Sequence, residues 1–167
     1  VSVFEISEIV GILLYFLADR LGRRLTLLTC AVIMAATSLM PMIEHSYSTL
    51  IIARSLSGMA GGFLFVIALV YVVEISTKQT QASMGSIILV FLTAGLMAEL
   101  DINAILATDI HWRLAIAIGS VPAIFLVATI YFMKESPVFY RIKGDTENLK
   151  KSIAFYTLEP EDLPLFI

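Results

Sequence analysis

The sequence predicts an all-α membrane protein, and three observations carry that expectation. Hydrophobic residues make up 59% of the 167 positions and charged residues only 15%, whereas soluble domains hold roughly 45–50% apolar residues. The mean hydropathy is +0.91. The apolar residues also gather in continuous runs of about 20, the length a helix needs to cross a hydrocarbon layer about 30 Å thick. Continuous runs, rather than alternating ones, argue against a transmembrane barrel. The formal net charge is −3, and the basic residues are dispersed around the runs, which excludes a nucleic-acid-binding surface. Cys30 is the single cysteine, so neither an intrachain disulfide nor a cysteine cluster for zinc can form. The sequence offers no nucleophile set beside a base, no metal-ligand spacing and no phosphate loop, so neither an enzyme nor a cofactor is expected.

Five spans follow from the length rule: 3–17, 25–43, 50–73, 83–104 and 113–133. The first is short because the chain starts inside it, and the start, without Met or a basic leader, reads as a cut within a longer protein. Glu8 lies in this span eleven residues before Asp19, about 16 Å along a helix and so near mid-bilayer. A carboxylate there must be paired, face a cavity, or be protonated. The stretch "LADRLGRR" then forms a tight turn, with Gly22 accommodating the backbone and Asp19, Arg20, Arg23 and Arg24 at the water or headgroup level.

In the third span Arg54 is followed by Gly58 and Gly62, a small-xxx-small pair that lets another helix approach closely. Glu74 closes that span. In the fourth, Gly85, Leu89, Leu92, Leu96, Glu99 and Asn103 recur every three or four residues and share a face. An ionisable group on that face points it toward an aqueous cavity or a helix interface; the other reading ends the helix early and leaves Glu99 in a loop. Thr93 and Ser57 are hydroxyls that can bond a hydroxylated substrate or their own helix. Trp112 and Arg113 mark the entrance of the last span, Pro122 bends it, and Pro137 stops it. His45 and His111 sit in separate loops as solvated groups. Beyond Pro137, Leu149, Ile153 and Tyr156 fall at helical intervals in a polar stretch, which predicts an amphipathic helix of about twelve residues.

Nine of the eleven basic residues fall in alternate loops and the C-terminal tail, which the positive-inside rule places in the cytosol. The domain reading is a partial transmembrane half over 1–133 and the start of a cytosolic loop with its intracellular helix over 134–167.

Taken in order, these pieces resemble the sugar porter family of the major facilitator superfamily. Its inner-loop signature is matched by Asp19, Arg20, Gly22, Arg23 and Arg24, and its fourth-helix arginine by Arg54. The tyrosine and glutamate ending its fourth helix are matched by Tyr71 and Glu74, its sixth-helix Trp-Arg pair by Trp112 and Arg113, and its Pro-Glu-Ser-Pro motif by Glu135, Ser136 and Pro137. The stretch "KGDTENLKKS" is similar to arthropod sugar and trehalose carriers. The departures are Tyr15 for a glycine, Gln81 and Ala82 for an Arg-Gly pair, Leu69 and Lys134 for prolines, Val138 for an arginine, and Leu89 for a glutamine that contacts hexose in many members.

The resemblance implies a major facilitator fold of which this chain supplies helices two to six of twelve. It implies a multi-pass protein, of the plasma membrane, that moves a hexose or trehalose-like sugar by alternating access. Either facilitated or proton-coupled transport fits. Asp19, Arg23, Arg24, Glu74 and Glu135 are expected to form ionic contacts that hold the inner side shut, with Glu8, Thr93, Glu99 and Asn103 lining the cavity. The alternatives are an organic-ion carrier of the same superfamily and a carrier-derived membrane protein that does not transport.

Overall fold

The computed structural model describes residues 2–14, 16–43, 46–77, 79–106 and 112–156, and every regular element among them is helical. In chain order these are α1 (Ser2–Leu13), α2 (Phe16–Leu21), α3 (Arg23–Ile43), α4 (Tyr47–Ile75), α5 (Gln81–Leu106), α6 (Trp112–Ile118), α7 (Ser120–Phe132), α8 (Pro137–Lys143) and α9 (Thr146–Tyr156). Among the described residues, four helical stretches are long and apolar enough to cross a membrane: Arg23–Ile43, Tyr47–Ile75, Gln81–Leu106 and Trp112–Phe132. They coincide with the second to fifth expected spans, each within a few residues.

The first expected span is not one described helix. It is the 12-residue α1 and the 6-residue α2, separated at Leu14 and at Tyr15, which lies outside the described residues together with His45 and His111. The last span divides into α6 and α7 at Gly119, where the Gly119 amide reaches back to the Ile116 carbonyl at 3.1 Å, an i→i−3 bond. This break sits one turn before Pro122, where proline acts: its ring crowds the carbonyl four residues back and its missing N–H leaves that carbonyl without a donor.

Pro137 differs from expectation. The preceding helix has already ended at Phe132, and Pro137 instead opens α8, with the Ser136 side chain accepting a bond from the Val138 amide at 3.2 Å. Proline suits a first helical position because its absent N–H would be unpaired there anyway, and serine suits the cap before it.

Helix α4 packs against α1 on one side and α3 on the other; α3 in turn carries α6 and α7. The core forms where small residues admit close approach: Ala18 and Ala31 are buried with Leu27, Ile67, Tyr71 and Ile130. On the other side of α4 the approach is closer still. A Cβ added at Gly62 would fall on the Glu8 backbone carbonyl, one at Gly58 on the Phe4 carbonyl, and one at Gly11 on that of Met59. Gly58 and Gly62 therefore bring two backbones into contact, as their spacing predicts.

Helix α5 packs mainly on α4 and α6 among the described elements and buries none of its described residues. Gly85 and Gly95 have nothing within 4 Å of a Cβ built on them. Gly85→Ala and Gly95→Ala are expected to stabilise the chain by about 0.5–1 kcal/mol each, since alanine loses less backbone entropy in a helix. Thermal unfolding in detergent micelles checks this; a loss of stability would mean that α5 packs more closely than this.

Helix α9 confirms the expected amphipathic segment within one residue of its expected length. The Asp145 carboxylate caps it, accepting from the Asn148 amide at 3.1 Å and the Asn148 side-chain amide at 2.6 Å. These bonds hold the Asp145 carboxyl below its ordinary value of 3.8. A depressed folded-state pKa stabilises the helix above the unfolded value and loses that contribution as pH falls through the folded one. Protection of the Asn148 amide from hydrogen exchange is thus expected to hold from neutral pH down to about 3.8 and to fall below it.

Candidate functional site

The charged residues of "DRLGRR" converge with Glu74 and Glu135 at one end of the helices. Gly22 makes this possible. It links α2 to α3 at φ 99°, a left-handed conformation that favours glycine, and a Cβ there would meet the Glu135 carboxylate and the Phe139 ring. The chain can therefore reverse against the α7–α8 connection without a side chain in the way.

Arg23, 3% exposed, turns inward. Its guanidinium meets Glu74 Oε1 through Nε at 3.2 Å and Nη2 at 3.0 Å, Asp19 Oδ1 at 2.8 Å, and the Ala18 carbonyl at 3.3 Å. Its charged carbon also lies 6.0 Å from the centre of the Phe139 ring. Glu74 is buried and Asp19 half exposed, so one arginine bridges a dry carboxylate and a wet one. Among the described residues, Glu74 Oε2 is the one buried side-chain oxygen or nitrogen without a hydrogen-bond partner.

Arg24 and Glu135, both expected among the ionic contacts of this end, meet through the backbone instead. The Arg24 backbone amide, not its guanidinium, donates to Glu135 Oε1 at 2.9 Å, and the Ser136 amide donates to the same oxygen at 3.1 Å. The guanidinium instead reaches the ends of α7, donating to the carbonyls of Ile130 at 3.3 Å and Tyr131 at 2.9 Å. That is where a helix leaves unpaired acceptors and a partial negative charge. Arg20 is exposed.

A second knot ties α9 to the same end. The Tyr71 hydroxyl donates to the Lys134 carbonyl at 2.6 Å and lies 2.5 Å from the Tyr156 hydroxyl, which itself contacts the Lys134 amide and carbonyl at 3.0 Å. Ser152, fully buried, donates to the Glu135 carbonyl at 2.7 Å. The role of Ser152 was not visible in the sequence; a serine at the inward-facing interval of an amphipathic helix is the signal that could have found it. Tyr156→Phe is expected to weaken the docking of α9 by about 1 kcal/mol, raising the exchange of its amides roughly fivefold.

The remaining site residues lie elsewhere. Arg54 stacks over the Phe4 ring at 5.3 Å and Arg113 over the Trp112 ring at 4.9 Å, both short of the polar cluster. Glu8 is half-buried against Gly62. Glu99 and Asn103 are exposed on α5, which continues to Leu106, so Glu99 belongs to the helix rather than to a loop. The Thr93 hydroxyl bonds the Leu89 carbonyl of its own helix at 2.8 Å.

The arrangement is that of a bundle of membrane-spanning helices with a buried charge cluster at one end. A solved structure of the proton:xylose symporter XylE of the major facilitator superfamily, bound to 6-bromo-6-deoxy-D-glucose, superposes with a TM-score of 0.83 at 19% identity, over 94% of this chain and 39% of that one. The inward-open form of XylE from E. coli gives 0.72 at 17% identity, over 93% and 43%. Residues 1–164 match the family described as "Sugar (and other) transporter", and the chain belongs to that family. Its relatives include the arabinose-proton symporter of Bacillus subtilis, 29% identical over 90% of this chain and 34% of the relative. The glucose transporter GlcP of Staphylococcus epidermidis is 32% identical over 72% of this chain and 27% of its own length. Polyol transporter 5 of Arabidopsis thaliana is 29% identical over 80% and 25%. The chain thus spans between a quarter and a third of the length of these relatives. It is a multi-pass membrane protein of that family, with the helical fold of the XylE structures.

Proposed function

We infer that the chain forms part of a twelve-helix carrier of the plasma membrane that moves a sugar by alternating access, with residues 1–133 in its first half and 134–167 opening the central cytosolic loop. The observation that carries this reading is the Arg23–Glu74–Asp19 bridge, set on a family scaffold at the end rich in basic residues. In the reading, this end is cytosolic.

The bridge pins α2, α3 and α4 together, while Arg24 and Glu135 pin α3 to the ends of α7 and α8. Each half of the carrier then moves as a rigid body, and the inner side closes where the half-exposed Asp19 and exposed Arg20 meet the other half. Glu74 Oε2, buried and without a donor among the described residues, is poised to accept a partner in one of the two states. Sugar binding and inner-side opening share one equilibrium, so a ligand shifts it only by its differential affinity for the two states. Hexoses, pentoses, polyols and trehalose-like disaccharides are the substrate candidates.

The test is uptake of labelled glucose, xylose, arabinose, a polyol and trehalose into proteoliposomes, with and without an inward proton gradient. Saturable uptake of one sugar supports the reading, and its stimulation by the gradient supports proton coupling. Transport of an organic ion but no sugar would assign the protein to the other substrate class.

A further inference from the structure

A cavity of about 520 Å³ opens between α3, α7, α8 and α9, beside the polar cluster but outside the Arg23–Glu74 bridge. Three cations line it, Arg24, Lys134 and Lys151, against one carboxylate, Glu135. That carboxylate is already engaged: its Oε1 accepts from the backbone amides of Arg24 and Ser136, and its Oε2 lies against the Gly22 side of the turn. Lys134 and Lys151 are both exposed, the first over the Phe155 ring at 5.0 Å and the second in a surface ion pair with Glu147 at 2.5 Å, from which a headgroup phosphate would draw it. Tyr140 adds a hydroxyl that stays protonated, because burial and the carboxylates of Glu135 and Asp145 push its pKa up. The opposite wall is apolar. Leu25 and Leu28 lead from the cavity onto the exposed stripe of α3 that continues to Val32.

A positive floor at the end of membrane-spanning helices, continuous with an apolar wall running up them, matches one chemistry: a phosphate with acyl chains attached. We propose that this cavity holds the headgroup of an anionic phospholipid, its phosphate between Lys134 and Lys151 and its chains along the Leu25 side of α3. Basic pockets between membrane helices recognise anionic headgroups in this manner. The site requires the helices to cross a bilayer and is independent of what the carrier moves, so it can fail while the transport reading stands.

The test titrates the chain, in detergent micelles, with phosphatidylglycerol, phosphatidylcholine or inorganic phosphate, and counts bound lipid by native mass spectrometry. Phosphatidylglycerol is expected to bind more tightly than phosphatidylcholine. Lys134→Gln or Lys151→Gln is expected to weaken it about fivefold each, and the pair about 25-fold. Lys134→Arg with Lys151→Arg should retain binding, which separates loss of charge from loss of fold. Lys150→Gln, which does not line the cavity, should change nothing. Equal binding of the two lipids would overturn the proposal, as would a Lys150→Gln effect as large as that of the lining lysines. Displacement of phosphatidylglycerol by an equal concentration of inorganic phosphate would also overturn it, making the cavity a site for the free ion.

Discussion

Arg23→Ala is expected to destabilise the chain by about 3–5 kcal/mol, the cost of removing one member of a buried ion pair and leaving the other charge uncompensated. Arg23 is 3% exposed and Glu74 7%, so water cannot replace the lost guanidinium. Both hydrogen bonds to Glu74 Oε1 would vanish while Oε2 already lacks a partner. Among the described residues the carboxylate would then have no partner in a dry setting. Glu74→Gln, which removes the charge and keeps the shape, should cost less. Arg20→Ala, on an exposed side chain of the same turn, should stay within about 0.5 kcal/mol of the original. Denaturant unfolding in micelles, followed by circular dichroism, gives all three values. Equal effects at Arg20 and Arg23 would mean that the turn contributes only its net charge.

Gly62→Val is the second large effect, about 3 kcal/mol. This is the upper part of the range for overpacking, because the atom struck is the Glu8 backbone carbonyl and not a side chain that can swing away. The helix α1 depends on α4 for its main packing, so the expected signature is local: amide exchange along α1 should rise while α3 and α7 keep their protection. Val at Gly61, where the nearest atoms to a Cβ are the ends of the flexible Phe4 and Met34 side chains at 3.9 and 4.0 Å, should cost far less. A uniform rise in exchange over all helices would contradict the close-contact role of Gly62.

The spans were legible because their signal is long and continuous: burial in lipid selects runs of about 20 apolar residues, which few loops imitate. Breaks inside them were less legible. Pro122 did announce a bend, yet the interruption falls at Gly119, since proline disturbs the turn before it. Pro137 was misread because a proline after an apolar run signals an end and a start equally well; Ser136 before it was the cue for a start. In the site, residue types and the Gly22 turn were readable, and the identity of the partners was not. Arg24 and Glu135 were both expected to make ionic contacts, whereas the carboxylate takes backbone amides and the guanidinium takes helix-end carbonyls. Sequence shows charges but not which unpaired backbone groups compete for them. Ser152 and the paired hydroxyls of Tyr71 and Tyr156 depend on how α9 folds back, a long-range placement that local pattern does not encode.

The most direct test of the proposed carrier is sugar uptake into proteoliposomes by the complete carrier and by its Arg23→Ala variant, at matched incorporation. The expected result is saturable uptake of a sugar by the complete carrier that contains this chain and a maximal rate at least about tenfold lower in that carrier's Arg23→Ala variant, equivalent to about 1.4 kcal/mol in the transport cycle. Unchanged uptake by the variant, or no sugar moved by the complete carrier, would contradict it.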